Sequence, residues 1–218
     1  MKTFFGLILL FFLFACNSDK DETIKNTSPE KGRAETSKNS VQNIETLFDK
    51  DQFDDPKKAE LLKELKICSD KNSGPEDYMH PSCTPRFFNL FPFNDNVSIE
   101  NAFILQVKSK VNGFPLRRLL IFVREKGQLV KINGFVANLI GRKKSISKHD
   151  DLLLRFNNKD QGQDVFFNCL FKWNGSTYKY HSVEAIEGVN WGGPVKAKLK
   201  DSISIEVEKD IVANKMIF

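Results

Sequence analysis

The sequence contains few of the residues that most often carry catalysis or bind metals. It has three histidines and four cysteines among 218 residues. No Gly-x-Ser-x-Gly, phosphate-loop, dinucleotide-binding glycine or His-Glu-x-x-His pattern occurs in it. Four cysteines are also too few for a small disulfide-dense scaffold. The sequence therefore favours a binding protein over an enzyme, and it predicts neither a cofactor nor a metal site.

A strong excess of one charge is also missing. The chain has 33 Lys+Arg and 28 Asp+Glu, which leaves a net charge of +5. This excess is too small for the basic footprint of a nucleic-acid-binding protein. Hydrophobic residues make up 40% of the chain, which excludes disorder throughout, and the repeated long apolar runs of a polytopic membrane protein do not occur.

The longest apolar run lies at the N-terminus. It follows Lys2 and extends from Phe4 to Ala15. As a helix, this run would be about 18 Å long at about 1.5 Å per residue, which is well short of the roughly 30 Å hydrocarbon core of a bilayer. A short basic start, an apolar centre and a small residue at the end are typical of a secretory signal peptide. We expect residues 1–15 to be this signal peptide.

The residues at the end of this run resemble a known processing site. Leu13-Phe14-Ala15-Cys16 is similar to the lipobox of bacterial lipoproteins. The resemblance implies that Cys16 is the first residue of the mature protein and that fatty acyl chains such as palmitate are attached to it. Three acyl chains hold a protein on a membrane, whereas one chain binds only marginally. A plain secreted protein and an uncleaved anchor are the alternatives.

The residues after Cys16 indicate where the anchored protein would lie. Lys20-Asp21-Glu22 resembles the export signal of surface lipoproteins of the Bacteroidetes type, which implies an outer-membrane location. The start of a solvated linker would look similar, so the cell surface and the periplasmic face both stay open. Residues 16–39 are mostly polar and predict a flexible tether that spans roughly 30 Å root-mean-square. Residues 40–218 would form one globular domain.

Two short helices are predicted at the start of this domain. Ser40 would cap the first, whose apolar face would begin with Val41 and Ile44. Asp55-Pro56 predicts the second, with Asp as the N-cap and Pro at the first helical position. We expect this second helix to end near Ile67.

Cys68 and Cys83 bracket a polar segment and are predicted to form a disulfide, as cysteines of exported proteins commonly do. Closing a loop of this length would contribute about 3 kcal/mol in the chain-entropy model. Two free thiols are one alternative. A metal pair with His80 is another, although a fourth ligand at a recognisable spacing is missing.

Most of the remaining sequence predicts strands. Residues 116–124 are apolar on both faces at their centre, which is typical of a central strand covered on both sides. The predicted fold is an α+β domain in which the two N-terminal helices pack on a mostly antiparallel meander of about six to eight strands. A partly closed barrel or a sandwich stays open. The predicted strands span residues 87–93, 103–107, 116–124, 129–136, 152–156, 165–183 as a hairpin, and 203–207.

The hairpin of residues 165–183 has the clearest local signal. Asn174-Gly175 favours a two-residue type I′ turn, because both residues tolerate positive φ. Such a turn would pair Phe171 with Tyr178. It would also direct Cys169 into an aromatic face, where we expect a buried thiol that serves packing.

The candidate binding residues form two groups. Arg142, Lys143 and Lys144 form the strongest positive cluster and could contact anionic headgroups or polysaccharide. Trp191 lies in a glycine-rich loop over residues 187–194, where an exposed indole would suit a sugar or protein partner, and an indole that caps the end of the core is the alternative. His80, His149 and His181 are expected at the surface.

Together these features predict a lipid-anchored cell-envelope lipoprotein whose domain binds an unidentified ligand. Its expected partners are the membrane, through the lipid, and a protein or glycan. One alternative is an envelope hydrolase with a histidine at a strand end. Another is an immunity-type inhibitor that blocks an incoming toxin at the membrane.

Overall fold

The computed structural model describes the domain in eight ranges, and it describes backbone alone for Asp160, Trp191 and the first range. The predicted signal peptide, Cys16, the tether and His80 lie outside these ranges. The ranges are residues 41–43, 50–69, 81–94, 96–108, 117–147, 149–160, 162–188 and 191–218.

Ten strands and two helices occur within the described ranges. In chain order they are β1 (Val41–Asn43), α1 (Pro56–Glu64), β2 (Phe88–Pro92), β3 (Ala102–Lys108), β4 (Arg117–Glu125), β5 (Gln128–Val136), β6 (Asn138–Lys143), β7 (Asp151–Asp160), β8 (Gln163–Trp173), β9 (Tyr178–Gly188), β10 (Trp191–Pro194) and α2 (Ala197–Ala213).

The strands form two antiparallel sheets. One sheet has the order β1-β6-β7-β8-β9-β10, and the other has the order β2-β3-β4-β5. Side chains from both sheets and from α2 share one hydrophobic core. The α+β class with mostly antiparallel strands is therefore confirmed. The expectation of a single sheet with both helices at the N-terminal end is wrong, because the strands divide into two sheets and α2 lies near the C-terminus.

The four-stranded sheet is buried on both faces. On its central strand, Leu119 and Ile121 point into the core shared by the two sheets. The alternate side chains Leu120 and Phe122 lie in a second core with Leu62 of α1. The side chains of β4 thus alternate between the two cores. The prediction that both faces are covered at the centre of this strand is confirmed.

The start of α1 agrees with the local sequence chemistry. The side chain of Asp55 accepts a hydrogen bond from the backbone N–H of Lys57 at 3.0 Å, and Pro56 occupies the first helical position. The helix ends at Glu64, before the expected Ile67. A disulfide joins Cys68 to Cys83 with their Cα atoms 5.1 Å apart, and both side chains pack against the second core.

Two predicted elements are wrong. Residues 203–207 were expected to form a strand because their apolar residues alternate, but they lie in the middle of α2. Val207 and Ile211 are buried one helical turn apart, whereas Ile205 is exposed. Residues 41–43 were expected in a helix, but they form β1 and pair with residues 141–143 of β6. The remainder of that predicted helix, residues 44–49, lies outside the described ranges.

The predicted hairpin forms, but its register differs from the expected one. Trp173 pairs with Tyr178, whereas the two-residue turn placed Phe171 there. The side-chain Oδ1 of Asn174 accepts hydrogen bonds from the backbone N–H groups of Ser176 and Thr177. This Asn-centred turn lengthens the connection, while Gly175 still adopts a positive φ of 105°. Cys169 is buried as a free thiol, as expected.

The C-terminal residues extend the four-stranded sheet beyond β5. The backbone N–H of Val136 donates to the carbonyl of Met216 at 2.8 Å, and the N–H of Phe218 donates to the carbonyl of Gly134 at 2.9 Å. A Cβ atom at Gly134 would lie 2.6 Å from the ring of Phe218. Glycine is therefore needed here because the C-terminal backbone and ring approach β5 closely.

Candidate functional site

The predicted basic cluster is divided between the two faces of the six-stranded sheet. Arg142 on β6 pairs with Leu152, a residue of the shared core, and its Nη1 donates to the carbonyl of Pro92 at 3.0 Å. Adjacent residues of a strand point to opposite faces, so Lys143 projects from the other side. Arg142 therefore connects the two sheets, whereas Lys143 and Lys144 line the outer side.

A pocket of about 350 Å³ lies on this outer side. We call it the lysine pocket; it is lined by Lys143, Lys144, Ser145, Ile146, Asp151 and Lys172. Lys143 pairs with Asp151 across β6 and β7. On β8, Phe171 pairs with Leu152 of β7. The next residue, Lys172, therefore lies opposite Asp151, which precedes Leu152. Three neighbouring strands thus bring together lysines that are far apart in the sequence.

The lysine pocket has an excess of positive charge. Its lining includes the ammonium groups of three lysines and the carboxylate of Asp151, and the Nζ of Lys144 also lies 3.4 Å from Oδ2 of the buried Asp150. Glu184, on which the charge of Lys143 also acts, is already paired with Lys200 at 2.7 Å, so two carboxylates remain against the three ammonium groups. An anionic group on a ligand would balance this excess.

The positive field extends to neighbouring groups on β9. Partial burial, followed by the charge of Lys172, lowers the pKa of His181 below its ordinary value. Burial acts to raise the pKa of Glu184, but hydrogen bonds from Lys200 and Ser182 and the charge of Lys143 bring it below the ordinary value. Lys172 thus acts on a group of the adjacent strand β9, and Lys143 of β6 acts on a group of β9 that lies three strands away.

The loop between β6 and β7 forms the rim of the lysine pocket. Its Ile146 side chain is fully exposed. The backbone N–H of Ser147 donates to Oγ of Ser145 at 3.2 Å, and the hydroxyl of Ser147 donates to the carbonyl of His149 at 2.6 Å. These hydrogen bonds fix Ser147 relative to Ser145 and His149, and they place an aliphatic side chain beside the lysines.

The expectation that His149 lies at the surface is wrong. Its side chain is 6% exposed, with ring centroids 4.6 Å from Phe93 and 4.7 Å from Trp173. The hydroxyl of Tyr178 donates to the carbonyl of the neighbouring Asp150 at 2.8 Å. These rings surround the imidazole and give it a packing role. His181, by contrast, is exposed on β9, so the two histidines lie in different environments.

A second concave site lies between α2 and the six-stranded sheet, with a volume of about 400 Å³. Its floor consists of core residues such as Phe167 and Val207. The charged groups on its rim already have partners: Asp210 accepts a hydrogen bond from Asn158 at 3.2 Å, and Glu206 accepts one from Lys209 at 2.9 Å. We therefore regard the lysine pocket, with its unbalanced charge, as the stronger candidate site.

The remaining predicted residues contribute little to a site. Trp191 begins β10 and pairs with Gly188, so residues 191–194 form a strand where a loop was expected. The side chain of Trp191 lies outside the description, and its binding role stays a prediction. Burial raises the pKa of Cys169, so its thiol stays protonated. In the described ranges, no group of three His, Cys, Asp or Glu residues could hold a metal ion.

Sequence reasoning missed Lys172 and Asp151. Neither residue belongs to a motif, and they become neighbours of Lys143 only through strand pairing. The sequence does place a charged residue at the outward position of each predicted strand end. These residues can be recognised as neighbours only when the register of three strands is known.

Comparison with models of protein families, with curated proteins and with solved structures finds no match to this chain.

Proposed function

We propose that this protein is a lipid-anchored lipoprotein of the cell envelope, in the outer membrane, and that residues 40–218 bind a negatively charged partner through the lysine pocket. The observation that carries the anchor is the lipobox-like Leu13-Phe14-Ala15-Cys16 that follows an apolar run. The signal peptide of residues 1–15 would be removed, and residues 16–39 would connect the acylated Cys16 to the domain.

One feature of the structure supports this proposal. The disulfide between Cys68 and Cys83 suits a protein that folds in an oxidising compartment outside the cytosol. In the part of the chain that the structure describes, neither helix is long and apolar enough to cross a bilayer. Under the proposal, membrane attachment comes from the acyl chains.

The charge of the lysine pocket supports the binding role. Clustered ammonium groups raise the local concentration of anions and speed their association. The geometry also disfavours the hydrolase alternative for His149, because aromatic rings surround the imidazole. A glycan, a protein or a lipid surface could each supply the negative charge.

Metabolic labelling with a fatty-acid analogue tests the anchor. We expect label on the wild-type protein and on Cys169→Ala, a matched control that removes the free thiol of the domain. We expect no label on Cys16→Ala. Equal labelling of Cys16→Ala and wild type would refute the anchor.

Protease treatment of intact cells then separates the two faces of the outer membrane. If Lys20-Asp21-Glu22 directs export to the surface, the protease removes the domain from intact cells. Replacing Asp21 and Glu22 with Ala should then protect it. Protection of the wild-type domain in intact cells, with digestion after lysis, would assign the periplasmic face.

A further inference from the structure

We infer that the lysine pocket and Ile146 form a second membrane contact, which docks the domain on anionic lipid headgroups. This inference rests on the proposed function, because it requires a domain that is already tethered to a bilayer. It names the partner of the lysine pocket as the lipid surface itself.

The position of the tether supports this orientation. The first described residue of the domain, Val41, pairs with Lys143 across β1 and β6. The predicted tether therefore joins the domain beside the lysine pocket. A tether anchored at Cys16 would keep this attachment point within roughly 30 Å of the membrane.

The charges of the lysine pocket suit the headgroups. Lys143, Lys144 and Lys172 present three ammonium groups on one outward-facing surface, with an excess of positive charge over Asp150 and Asp151. Juxtamembrane lysines are attracted to anionic lipid surfaces within about a Debye length, roughly 8–10 Å at physiological salt. Contact with such a surface would balance the excess charge.

Ile146 distinguishes a lipid surface from a polysaccharide. Its aliphatic side chain is fully exposed at the rim, beside the lysines. An aliphatic side chain next to basic residues can enter the boundary between headgroups and acyl chains, where its apolar surface leaves water. A hydrated polysaccharide offers no such apolar layer. The combination therefore favours a bilayer as the partner.

The tether also makes a weak contact sufficient. A domain on a tether of roughly 30 Å experiences a high effective concentration of the surface to which it is attached. A few lysines and one isoleucine can then determine the orientation of the domain, although they would bind poorly without the anchor.

The test uses the full-length acylated protein in vesicles. A polarity-sensitive nitrobenzoxadiazole fluorophore is attached to Ser147→Cys, next to Ile146. The other cysteines do not interfere, because Cys68 and Cys83 are bonded, Cys169 is buried and Cys16 would be acylated. In vesicles containing phosphatidylglycerol we expect a blue shift and an emission increase of about twofold or more over pure phosphatidylcholine.

Matched variants assign the effect to the lysine pocket. Lys172→Glu and Ile146→Ser should each abolish most of the increase in emission. High salt should also reduce the increase, because it screens the attraction between the lysines and the headgroups. Lys126→Glu, a charge reversal in the turn between β4 and β5, should leave the increase unchanged. A fluorophore on Glu125→Cys, at the end of β4 beside that turn, should report water in both kinds of vesicle.

The outcomes separate the inference from the proposed function. If the protein fails to float with pure phosphatidylcholine vesicles, the anchor itself is refuted. If it floats but the fluorophore at residue 147 does not respond to phosphatidylglycerol, only the second contact is refuted. An equal response in Ile146→Ser, or an equal response to dextran sulfate without vesicles, would also overturn a lipid contact.

Discussion

The two sheets of this protein differ in what covers their faces. The four-stranded sheet has one face in the shared core and the other under α1 and the disulfide. The six-stranded sheet buries its inner face in the same shared core, but its outer side carries charged and polar residues. There Arg155 donates to Asn168 at 2.9 Å and to Glu187 at 2.6 Å, and the lysine pocket lies at the end of β6, β7 and β8.

This difference separates stability from recognition. A strand that is apolar on both faces contributes to two cores and leaves no side chain for a ligand. A strand that alternates between apolar and charged residues can support the core and present a charged surface together. We therefore expect substitutions in the four-stranded sheet to reduce stability most, and substitutions on the outer side of the six-stranded sheet to affect binding most.

The largest expected loss of stability concerns the four-stranded sheet, which is covered on both faces. Phe103→Ala removes a fully buried ring that stacks on Phe122 at 5.4 Å. We expect a loss of about 3–5 kcal/mol in the free energy of unfolding. The matched variant Phe166→Ala removes a half-buried ring of β8 that lies under Arg155, and we expect it to cost less than about 1.5 kcal/mol. Denaturant unfolding measures both, and equal losses would contradict the comparison.

The second prediction tests how much the disulfide stabilises the second core, on the α1 side of the four-stranded sheet. Replacing Cys68 and Cys83 together with Ser should lower the free energy of unfolding by about 3 kcal/mol, since a separation of 15 residues defines the closed loop. The lysine pocket lies on the other sheet, so the vesicle response should persist in the folded variant. An unchanged melting temperature under oxidising conditions would show that the bridge does not constrain the chain.

A smaller effect tests the connection between the two sheets. The buried amide of Asn133 on β5 accepts a hydrogen bond from the backbone N–H of Tyr178 at 2.8 Å and donates to its carbonyl at 3.1 Å. Asn133→Leu leaves both backbone groups without this partner, and we expect a loss of about 2–3 kcal/mol in unfolding free energy. Asn158→Leu is the control and should cost much less, because the two hydrogen bonds that it removes, to Asp210 and from the backbone N–H of Lys159, are exposed to water.

The smallest effect concerns the charged side of the six-stranded sheet. The folded-state pKa of His181 lies below its ordinary value of 6.5, first through burial and then through Lys172. Protonation is therefore disfavoured in the folded protein, so this contribution to stability is complete above pH 6.5 and decreases as the pH falls toward the folded pKa.

Nuclear magnetic resonance titration of the imidazole checks this prediction. We expect Lys172→Met to raise the pKa of His181, because the neighbouring charge is removed, and Lys126→Met to leave it unchanged. The His181→Gln variant assigns the resonance. A His181 pKa that is the same in Lys172→Met and wild type would place Lys172 too far away to act on the outer side of this sheet.

Elements with strong local signals could be predicted from the sequence. Asp55-Pro56 marks the start of α1 because capping and a fixed φ are properties of neighbouring residues. Around Ile121, consecutive residues are apolar, so both faces of the strand are apolar. This pattern predicts a central strand, and it too depends only on residues that are neighbours in the sequence. The strand prediction for residues 203–207 was wrong because five residues fit an alternating pattern as well as a helix. The helical spacing becomes visible only when Ile211 is included.

The candidate site could be predicted only in part. Lys143 and Lys144 stand out as adjacent charges, but Arg142 beside them faces the other sheet. The hairpin register depends on the side chain of Asn174, and β8 and β9 also contain bulges that shift the pairing. Each such shift changes which side chains face each other, so strand pairing cannot be read from residue order alone.

The sequence by itself determined the start of α1, the strand that is apolar on both faces and the hairpin between β8 and β9, because each depends on contacts among residues close in the chain. Tertiary structure alone decided that the strands divide into two sheets, that α2 is a helix and that Lys143, Asp151 and Lys172 meet. These features depend on pairing between distant segments, in which burial of a whole face outweighs the preference of any short stretch.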